Sequence, residues 1–591
     1  MAKLVFYSVY PVNNFFEINM KSILTSVALF LFALAAIPLS LPANTTDKIE
    51  PSAIRITPPA PKFSDLERQT ELAKRRAKVF AQMEDKSVLI LFSAPPKIYS
   101  NDVDFLYRQE NNLYYLTNLK QNGATLVLIK DGAQQREMLS LPKRDPASET
   151  WNGRMYSSED AKRISGIKTV NDAAELDAFL QAIKDKSLSS IFTENIYLLL
   201  PENGGDADGM REFAKENEFS KTLNNFKIKN AQPIFANLRL VKSPMEIKLL
   251  QHAIDITTEA QERAMAMVNR ARWEYEVQAE VEYTFRRRNA DYWGYPSIVG
   301  CGPNATTLHY VESQGAVKQG DLMLMDVGAE YDHYTADVTR TYPANGKFSK
   351  EQAEIYQTVY DAQEAAAKTL KPGASFFEPG QAAAKTLAEG LAKLGLITAP
   401  NATYKALQQG KLIDKLQYSL WYMHGWGHWL GMNVHDVGDY SQPLQAGMVF
   451  TNEPGIYIRE DALDYLPDTP ENKAFLAKIK PAFEKYKNIG VRIEDDMLLT
   501  DTGAEWMTKN LPRKIGEIEA LMAKASKEIP YSSLPKQTNP AFAVLDNYNF
   551  AAGSFDWHPF AKDEFMNGRT IRRGWISTGK GTAFSGSHHG E

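Results

Sequence analysis

The sequence predicts two folded domains, an α/β domain followed by an α+β domain. A length of 591 residues exceeds what one ordinary core accommodates, so two large domains are expected. In the first half, short apolar runs of strand length, such as SVLILF (87–92) and ATLVLI (124–129), alternate with helix-like stretches up to about residue 235. In the second half, long helices are segregated from paired strand-like runs, which indicates an α+β domain of roughly 280 residues.

The boundary between the domains is predicted near residues 236–243. Ser243, followed by proline and then by Glu246 three positions after the cap, has the pattern of a helix start. A second such start at Ser349 begins a helix that is predicted to reach Leu370. Strand-like runs lie between and after these helices: DLMLMDVGAEY (321–331), YTADVTRTYP (334–343), MVFTNEPGIYI (448–458) and GVRIEDDMLLT (490–500).

The N-terminus predicts export. Residues 22–41 are apolar and uncharged, follow Lys21 and precede Ala43, which is the pattern of a secretory signal cleaved near that alanine. A membrane anchor is the alternative, because the run approaches the ~20 residues that span a bilayer. Residues 1–19 fit neither pattern, so Met20 is a candidate for the true start. We expect a signal segment over 1–43 and an exported protein, periplasmic or secreted, with no membrane span after signal removal.

Composition excludes several classes of protein. A hydrophobic content of 44% with 11% aromatic residues is typical of a folded chain. The formal net charge of -5 lacks the basic excess of a nucleic-acid binder, so no nucleic acid is expected as a partner. The single cysteine, Cys301, excludes an intramolecular disulfide and a cysteine-rich metal site.

Four carboxylates stand at strand positions where apolar residues are expected. Asp326 ends the run LMLMD, and Asp337 follows eleven residues later, after a segment that suits a hairpin turn. Glu453 follows MVFTN, and Glu494 lies within VRIEDDMLL. A buried carboxylate is costly unless it is paired, protonated or bound to a cation. One or two divalent cations explain all four residues together, whereas turn-stabilising or solvent-facing roles are the alternative for each residue alone.

Three of the nine histidines lie in the stretch HGWGHWLGMNVHDVG. His424 and His428 are four residues apart, as in helical zinc proteases, but no glutamate follows the first histidine. Gly425, Gly427 and Gly431 would each cost about 1 kcal/mol inside a helix. We therefore expect an irregular or extended segment, in which glycine lets the backbone pass close to a metal or a substrate. An oxygen-rich site with one or two imidazoles suits manganese, iron, cobalt or magnesium, with zinc as an alternative.

Together these segments resemble the aminopeptidase P and prolidase family, dinuclear metallopeptidases with the pita-bread fold. The resemblance is carried, in the family's order, by YPSIVGCGPNATTLHY, LMDVGAEYDHYTADVTRTYPANGKF, MHGWGHWLGMNVHDVG, NEPGIYI and GVRIEDD. SNDVDFLYRQENNLYYLTNL and RDPASETWNGR resemble the family's creatinase-type N-terminal domain. The resemblance implies such an α/β domain over residues 44–235, an α+β pita-bread catalytic domain over 236–525, and an extension of unknown role over 526–591.

The resemblance also implies the metal ligands. Asp337 and Glu494 would bridge two divalent ions, Asp326 would hold one ion, and His428 and Glu453 would hold the other. Manganese is favoured, with cobalt, iron and zinc as alternatives. The resemblance further implies residues that contact substrate or support the ligands: His309, His424, His435 and Arg492. Among them, His435 would hydrogen-bond the tetrahedral intermediate and Arg492 would orient Glu494.

The activity implied is removal of the N-terminal residue from peptides with proline in second position. A hydroxide that bridges the two ions would attack the carbonyl before proline, and Glu453 would handle the proton. Prolidase, which takes Xaa-Pro dipeptides, is the alternative. An inactive exported binding protein is a further alternative, against which the complete ligand set argues. Because relatives are often dimers or tetramers, the resemblance also implies a homo-oligomer, in which Trp151 would approach a neighbouring active site.

Overall fold

The computed structural model describes residues 52–187, 193–201, 213–529 and 531. The signal segment predicted over 1–43 lies outside these residues, as does the extension predicted over 526–591 except for its first few positions. Within the described part of the chain, no helix is both long enough and apolar enough to cross a membrane.

A mixed sheet forms the centre of the first half. The strands of this half are β1 (Ser87–Phe92), β2 (Ile98–Ser100), β3 (Val103–Asp104), β4 (Thr125–Asp131), β5 (Gln134–Leu141), β6 (Thr169–Asp172), β7 (Asn195–Leu198) and β8 (Lys227–Asn230). The sheet order is β6–β5–β4–β1–β7–β8, with β2 and β3 forming a separate hairpin. β1 is antiparallel to β4 and parallel to β7. The helices of this half are Asp65–Gln82, Asn111–Thr117, Pro146–Asn152, Ser158–Ser165, Leu176–Lys184, Ala214–Ser220 and Gln232–Leu240.

The run SVLILF is continuously apolar because β1 is buried on both faces. Val88, Ile90 and Phe92 pack into one apolar cluster, whereas Leu89 and Leu91 pack into another on the opposite face. The α/β character predicted for this half is therefore confirmed.

The second half consists of long helices and small antiparallel sheets. Its strands are β9 (Tyr292–Trp293), β10 (Ile298–Cys301), β11 (Leu322–Val327), β12 (Ala329–Tyr331), β13 (Tyr334–Thr335), β14 (Val338–Pro343), β15 (Thr403–Gln408), β16 (Lys411–Leu416), β17 (Val449–Asn452), β18 (Gly455–Tyr457), β19 (Gly490–Arg492), β20 (Asp495–Thr500) and β21 (Gly503–Trp506). They form the sheets β10–β11–β14, β13–β12–β9, β15–β16, β17–β20–β21 and β18–β19. The helices are Pro244–Met267, Glu274–Arg287, Lys350–Ala367, Phe377–Leu394, Pro470–Tyr486 and Ile515–Ala525. The predicted α+β class is confirmed.

Both predicted helix starts are confirmed as capping boxes. The Ser243 side chain accepts from the Glu246 amide, and the Glu246 side chain accepts from the Ser243 amide at 3.0 Å. Ser349 caps the helix Lys350–Ala367 in the same way, and this helix ends three residues before the predicted Leu370. The helix Gln232–Leu240 runs across the start of the predicted boundary at residue 236.

The hairpin predicted between the two aspartates is formed by β12 and β13. Its turn residues Asp332 and His333 both have positive φ, 52° and 68°, which is the backbone of a type I′ turn. Tyr114 of the first half stacks on His333 with 3.7 Å between ring centroids, and its hydroxyl donates to Asp332. Arg68 adds an ion pair to Asp332 at 2.9 Å. The first half of the chain thus fixes the turn that joins two predicted ligands.

Candidate metal centre

The two predicted aspartate ligands lie on neighbouring strands. In the β11–β14 pair, Asp326 is opposite Thr339, and Asp337 directly precedes β14. The hydroxyl of Tyr295 lies 2.5 Å from Asp326 Oδ1 and 2.5 Å from Asp337 Oδ1, so both carboxyl groups converge on one hydroxyl.

The two predicted glutamate ligands lie at the end of a second antiparallel pair. β17 pairs with β20 so that Asn452 is opposite Asp495. Glu453 follows Asn452 and Glu494 precedes Asp495, so the two glutamates lie beside each other. The Glu494 amide donates to the Thr339 carbonyl at 3.1 Å, and the Thr339 hydroxyl donates to Glu494 Oε2 at 2.6 Å. These bonds join the second strand pair to the first, so the four carboxylates share one site.

The segment that contains the clustered histidines is irregular, as predicted, and runs alongside β17. The Thr451 amide donates to the His428 carbonyl at 3.0 Å. A Cβ on Gly427 would lie 2.1 Å from the Thr451 carbonyl oxygen, and a Cβ on Gly431 would lie 2.1 Å from Asp436 Oδ2. Close approach at these glycines is confirmed, but the approaching groups are protein atoms, whereas the sequence interpretation named a metal or a substrate.

His428 is oriented for coordination through one ring nitrogen. Its Nδ1 donates to the Trp429 carbonyl at 3.1 Å, so Nε2 is the nitrogen that offers a lone pair once the ring is deprotonated. Nε2 lies 3.3 Å from Asp337 Oδ2 and 3.4 Å from Glu453 Oε1. Ligand atoms of Asp337, His428 and Glu494 all lie within 4.8 Å of one another, close enough to contact a single ion.

Arg492 supports the carboxylates, but the carboxylate that it hydrogen-bonds directly is Asp326 and not Glu494. Its Nη2 lies 2.5 Å from Asp326 Oδ2, whereas its Nε is 3.9 Å from Glu494 Oε2. Nε donates to the Thr339 hydroxyl at 3.1 Å, and that hydroxyl donates onward to Glu494. The predicted orientation of Glu494 by Arg492 therefore runs through Thr339. Nη1 donates to the Tyr457 hydroxyl at 2.8 Å.

The other three predicted histidines differ in exposure and in partners. His424 donates through Nδ1 to the next carbonyl at 2.8 Å and accepts the Tyr457 hydroxyl on Nε2 at 2.8 Å, so both ring nitrogens have protein partners. His435 is exposed and stands edge-on to His428, with 4.2 Å between ring centroids. Burial lowers the pKa of His424 to about 3. His435 is solvent-accessible, but partial desolvation and the positive charge of His428 lower its pKa to about 4, so both imidazoles are neutral at pH 7. His309 is also exposed and lies near enough that its positive charge would lower both pKa values.

Sequence reasoning missed two tyrosines of this site. Tyr295 and Tyr457 each lie within a segment that was already singled out for other residues, YPSIVG and NEPGIYI. The register of β18 and β19 places Gly455 opposite Arg492, and strand alternation puts Tyr457 on the same face. Pairing β18 with β19 from the sequence would have identified Tyr457, whereas no local signal identifies Tyr295.

Burial and mutual repulsion raise the pKa values of three carboxylates. Burial raises the pKa of Asp337, and the adjacent negative charge of Asp326 adds to it. Burial raises the pKa of Glu453 to about 7, and burial together with Asp337 and Glu453 raises that of Glu494 well above its ordinary value. Asp326 differs: burial raises its pKa, but the charge and hydrogen bond of Arg492 and the hydrogen bond from Tyr295 together outweigh burial and lower it.

The surrounding carboxylates also raise the pKa of His428. Burial lowers its pKa, but the hydrogen bond to Asp337 and the charge of Glu453 outweigh burial and raise the pKa to about 9. Protonation of His428, and of Glu453 below about pH 7, thus compensates part of this negative charge. Divalent cations compensate the same charge, and a donor set of four carboxylates and one imidazole is chemically suited to them.

We expect cation binding to release protons and to strengthen with pH. Glu453, with a pKa of about 7, and His428, with a pKa of about 9, are protonated below those values and must lose the proton to coordinate. Affinity should therefore rise between about pH 6 and pH 9. Calorimetric titration of metal-free protein with Mn²⁺ in two buffers of different ionisation enthalpy measures the release, expected to be about one proton or more per chain at pH 7. Binding without proton release at pH 7 would contradict this electrostatic picture.

Two family models match this chain, one in each half. The family model "Aminopeptidase P, N-terminal domain" matches residues 72–192, and the model "Metallopeptidase family M24" matches residues 248–501. The Xaa-Pro aminopeptidase of Haemophilus influenzae is 38% identical, over 76% of this chain and 97% of its own length. The Xaa-Pro aminopeptidase of Escherichia coli is 34% identical, over 79% of this chain and 100% of its own length.

Solved structures agree with the sequence matches. Aminopeptidase P from Escherichia coli in its low-pH form covers 79% of this chain and 100% of its own, with a TM-score of 0.64 and 32% identity. Aminopeptidase P from Pseudomonas aeruginosa covers 78% of this chain and 99% of its own, with a TM-score of 0.64 and 34% identity. The chain therefore belongs to metallopeptidase family M24, among its Xaa-Pro aminopeptidases with an aminopeptidase P N-terminal domain.

Proposed function

We propose that the protein is a metal-dependent aminopeptidase that removes the N-terminal residue from peptides with proline in second position. The observation that carries the proposal is the junction between the strand pairs β11–β14 and β17–β20. It brings four carboxylates and the Nε2 atom of His428 to one site. Relatives named Xaa-Pro aminopeptidase, similar over nearly their whole length, support this substrate class and do not favour the prolidase alternative.

The residues that would hold two divalent ions are Asp326, Asp337, His428, Glu453 and Glu494. When bound, such ions polarise a carbonyl group and lower the pKa of water. Manganese is our first proposal, with cobalt, iron and zinc as alternatives, because the donors are mostly oxygen atoms.

Three side chains have properties that suit steps of peptide hydrolysis. His435 is exposed and neutral at pH 7, so it can donate an N–H to the carbonyl oxygen as negative charge develops there. His309 is also exposed and is close enough to affect the pKa values of His424 and His435, which suits a residue that contacts the peptide. Glu453, with a pKa of about 7, suits a group that accepts a proton from water and returns it to the leaving proline nitrogen.

Export and self-association are proposed as well. The apolar segment 22–41 supports export, and N-terminal sequencing of protein from its host would reveal cleavage near Ala43. Large apolar side chains on the first half are exposed, Trp151 to 87% and Tyr99 to 68%, which supports a homo-oligomer. Light scattering that gives the mass of one chain would contradict it.

We expect the protein to cleave Xaa-Pro-Yaa tripeptides after the first residue and to leave Xaa-Pro dipeptides intact. The matched control is the Xaa-Ala-Yaa tripeptide, which keeps the length and the termini but has an N–H at the scissile bond. Release of the free N-terminal amino acid by the metal-loaded protein is measured by chromatography. Cleavage restricted to the dipeptide would replace this function with that of a prolidase.

We expect Asp337→Asn to reduce kcat/KM by at least ~100-fold while the protein stays folded, because an amide lacks the charge that a shared ligand provides. The control is Asp414→Asn, which removes an exposed carboxylate whose partner is Lys405. Peptidase assays, circular dichroism and elemental analysis are compared for both variants. Undiminished turnover by Asp337→Asn would refute the ligand set, and fewer than one metal ion per wild-type chain would favour the inactive binding protein.

A further inference from the structure

Two fully buried glutamines contact the backbone next to the four predicted carboxylate ligands. Gln261 lies on the helix Pro244–Met267, and Gln363 lies on the helix Lys350–Ala367; both are 0% exposed. Each points its side-chain amide at the backbone of one of the two strand pairs that carry the predicted ligands.

Gln261 contacts the pair formed by β11 and β14. Its Nε2 donates to the Met325 carbonyl at 3.2 Å and to the Val338 carbonyl at 2.9 Å. Met325 immediately precedes Asp326, and Val338 immediately follows Asp337. One NH₂ group therefore fixes the separation of the two strands at the position where both aspartates leave the backbone.

Gln363 makes the corresponding contacts to the other strand pair. Its Nε2 lies 3.0 Å from the Asn452 carbonyl, 3.1 Å from the Ile493 carbonyl and 2.8 Å from Asp495 Oδ2, so its two hydrogens are shared among three acceptors. Asn452 immediately precedes Glu453, and Ile493 immediately precedes Glu494. The same chemical group, supplied by a different helix, thus fixes the positions from which both glutamates leave the backbone.

The two amides differ in how their oxygen atoms are satisfied. Gln363 Oε1 accepts from Arg513 Nη1 at 2.9 Å, whereas Gln261 Oε1 has no hydrogen-bond partner in the described structure. Two facing carbonyls require the NH₂ side of the amide, so the orientation of Gln261 follows from its donors. A side chain that only filled this space would be better apolar, because a buried oxygen without a partner is unfavourable.

We propose that Gln261 and Gln363 are positioning residues for the metal site, each setting the spacing of two carboxylate ligands through backbone carbonyls. The proposal rests on the ligand set of the proposed function. Ligand placement has to hold within about 0.5 Å for a metal site to bind well, and a hydrogen bond on the adjoining peptide constrains it at that scale. A role in helix packing alone would affect the stability of the protein without affecting its affinity for metal.

The test compares Gln261→Met and Gln363→Met with the control Gln417→Met. Methionine keeps the length of the side chain and removes the donors. Gln417 is also buried, at 3% exposed, and its amide bonds the Thr403 carbonyl at 3.0 Å and the Thr398 amide at 2.7 Å, neither next to a predicted ligand. Competition of Mn²⁺ with a chelating indicator gives the dissociation constants, and thermal unfolding of metal-free protein gives the Tm.

We expect dissociation constants that are 10- to 100-fold weaker, on the order found for groups that support metal ligands, in Gln261→Met and Gln363→Met. At saturating Mn²⁺, kcat should fall while KM for the peptide stays unchanged. Gln417→Met should bind Mn²⁺ like wild type even if its Tm falls equally. Wild-type affinity in both test variants, or equal weakening in Gln417→Met, would overturn the proposal.

Two further comparisons keep the result interpretable. If the methionine variants do not fold, Gln261→Asn and Gln363→Asn replace them. Asparagine keeps an amide but is one methylene shorter, so its donors no longer reach the carbonyls. Weaker Mn²⁺ binding would again support the proposal, and wild-type affinity would overturn it. Failure of the wild-type protein to bind Mn²⁺ or to cleave Xaa-Pro-Yaa would refute the proposed function. Normal wild-type behaviour with test variants that match Gln417→Met would refute this inference alone.

Discussion

Repulsion among three buried carboxylates and the partly buried Glu453 is the constraint around which the catalytic half is organised. Like charges at such short range in a poorly solvated site raise the free energy of the fold unless positive charge or protons compensate them. Arg492 compensates Asp326 and His428 pairs with Asp337, but the pKa values of Asp337, Glu453 and Glu494 are still raised. Because the strand registers and helix side chains hold the carboxylates in place, the repulsion is retained as an affinity for cations.

The parts of this structure that were predictable from the sequence are those with a local pattern. Acids inside apolar runs marked Asp326 and Glu453, and glycines marked the irregular course around His428. The run 490–500 was expected to be one strand, but it is two strands of different sheets, interrupted at Ile493 and Glu494. β19 pairs with β18, whereas β20 pairs with β17 and β21. The hydrophobic pattern within the run does not reveal which strand each part pairs with.

The contacts that sequence reasoning could not supply join residues far apart in the chain. Arg492 and Asp326 are separated by 166 positions, and Gln261 reaches a carbonyl 77 positions away. Gly328 shows the same limit at one residue: a Cβ there would lie 1.8 Å from the Ala336 carbonyl, so glycine is required where β11 gives way to β12. The glycine is visible in the sequence, but its neighbour is set by the tertiary fold.

The turn at Asp332 and His333 is a point of direct contact between the two halves of the chain. Tyr114 covers this turn, and Arg108 reaches the loop after His428, donating to the Met432 carbonyl at 2.7 Å. Substitutions in the first half therefore alter the setting of catalytic residues that they never touch. Exchanging the N-terminal domain between relatives would replace one side of this contact and keep the other, so active chimeras should take the residues on both sides from one parent.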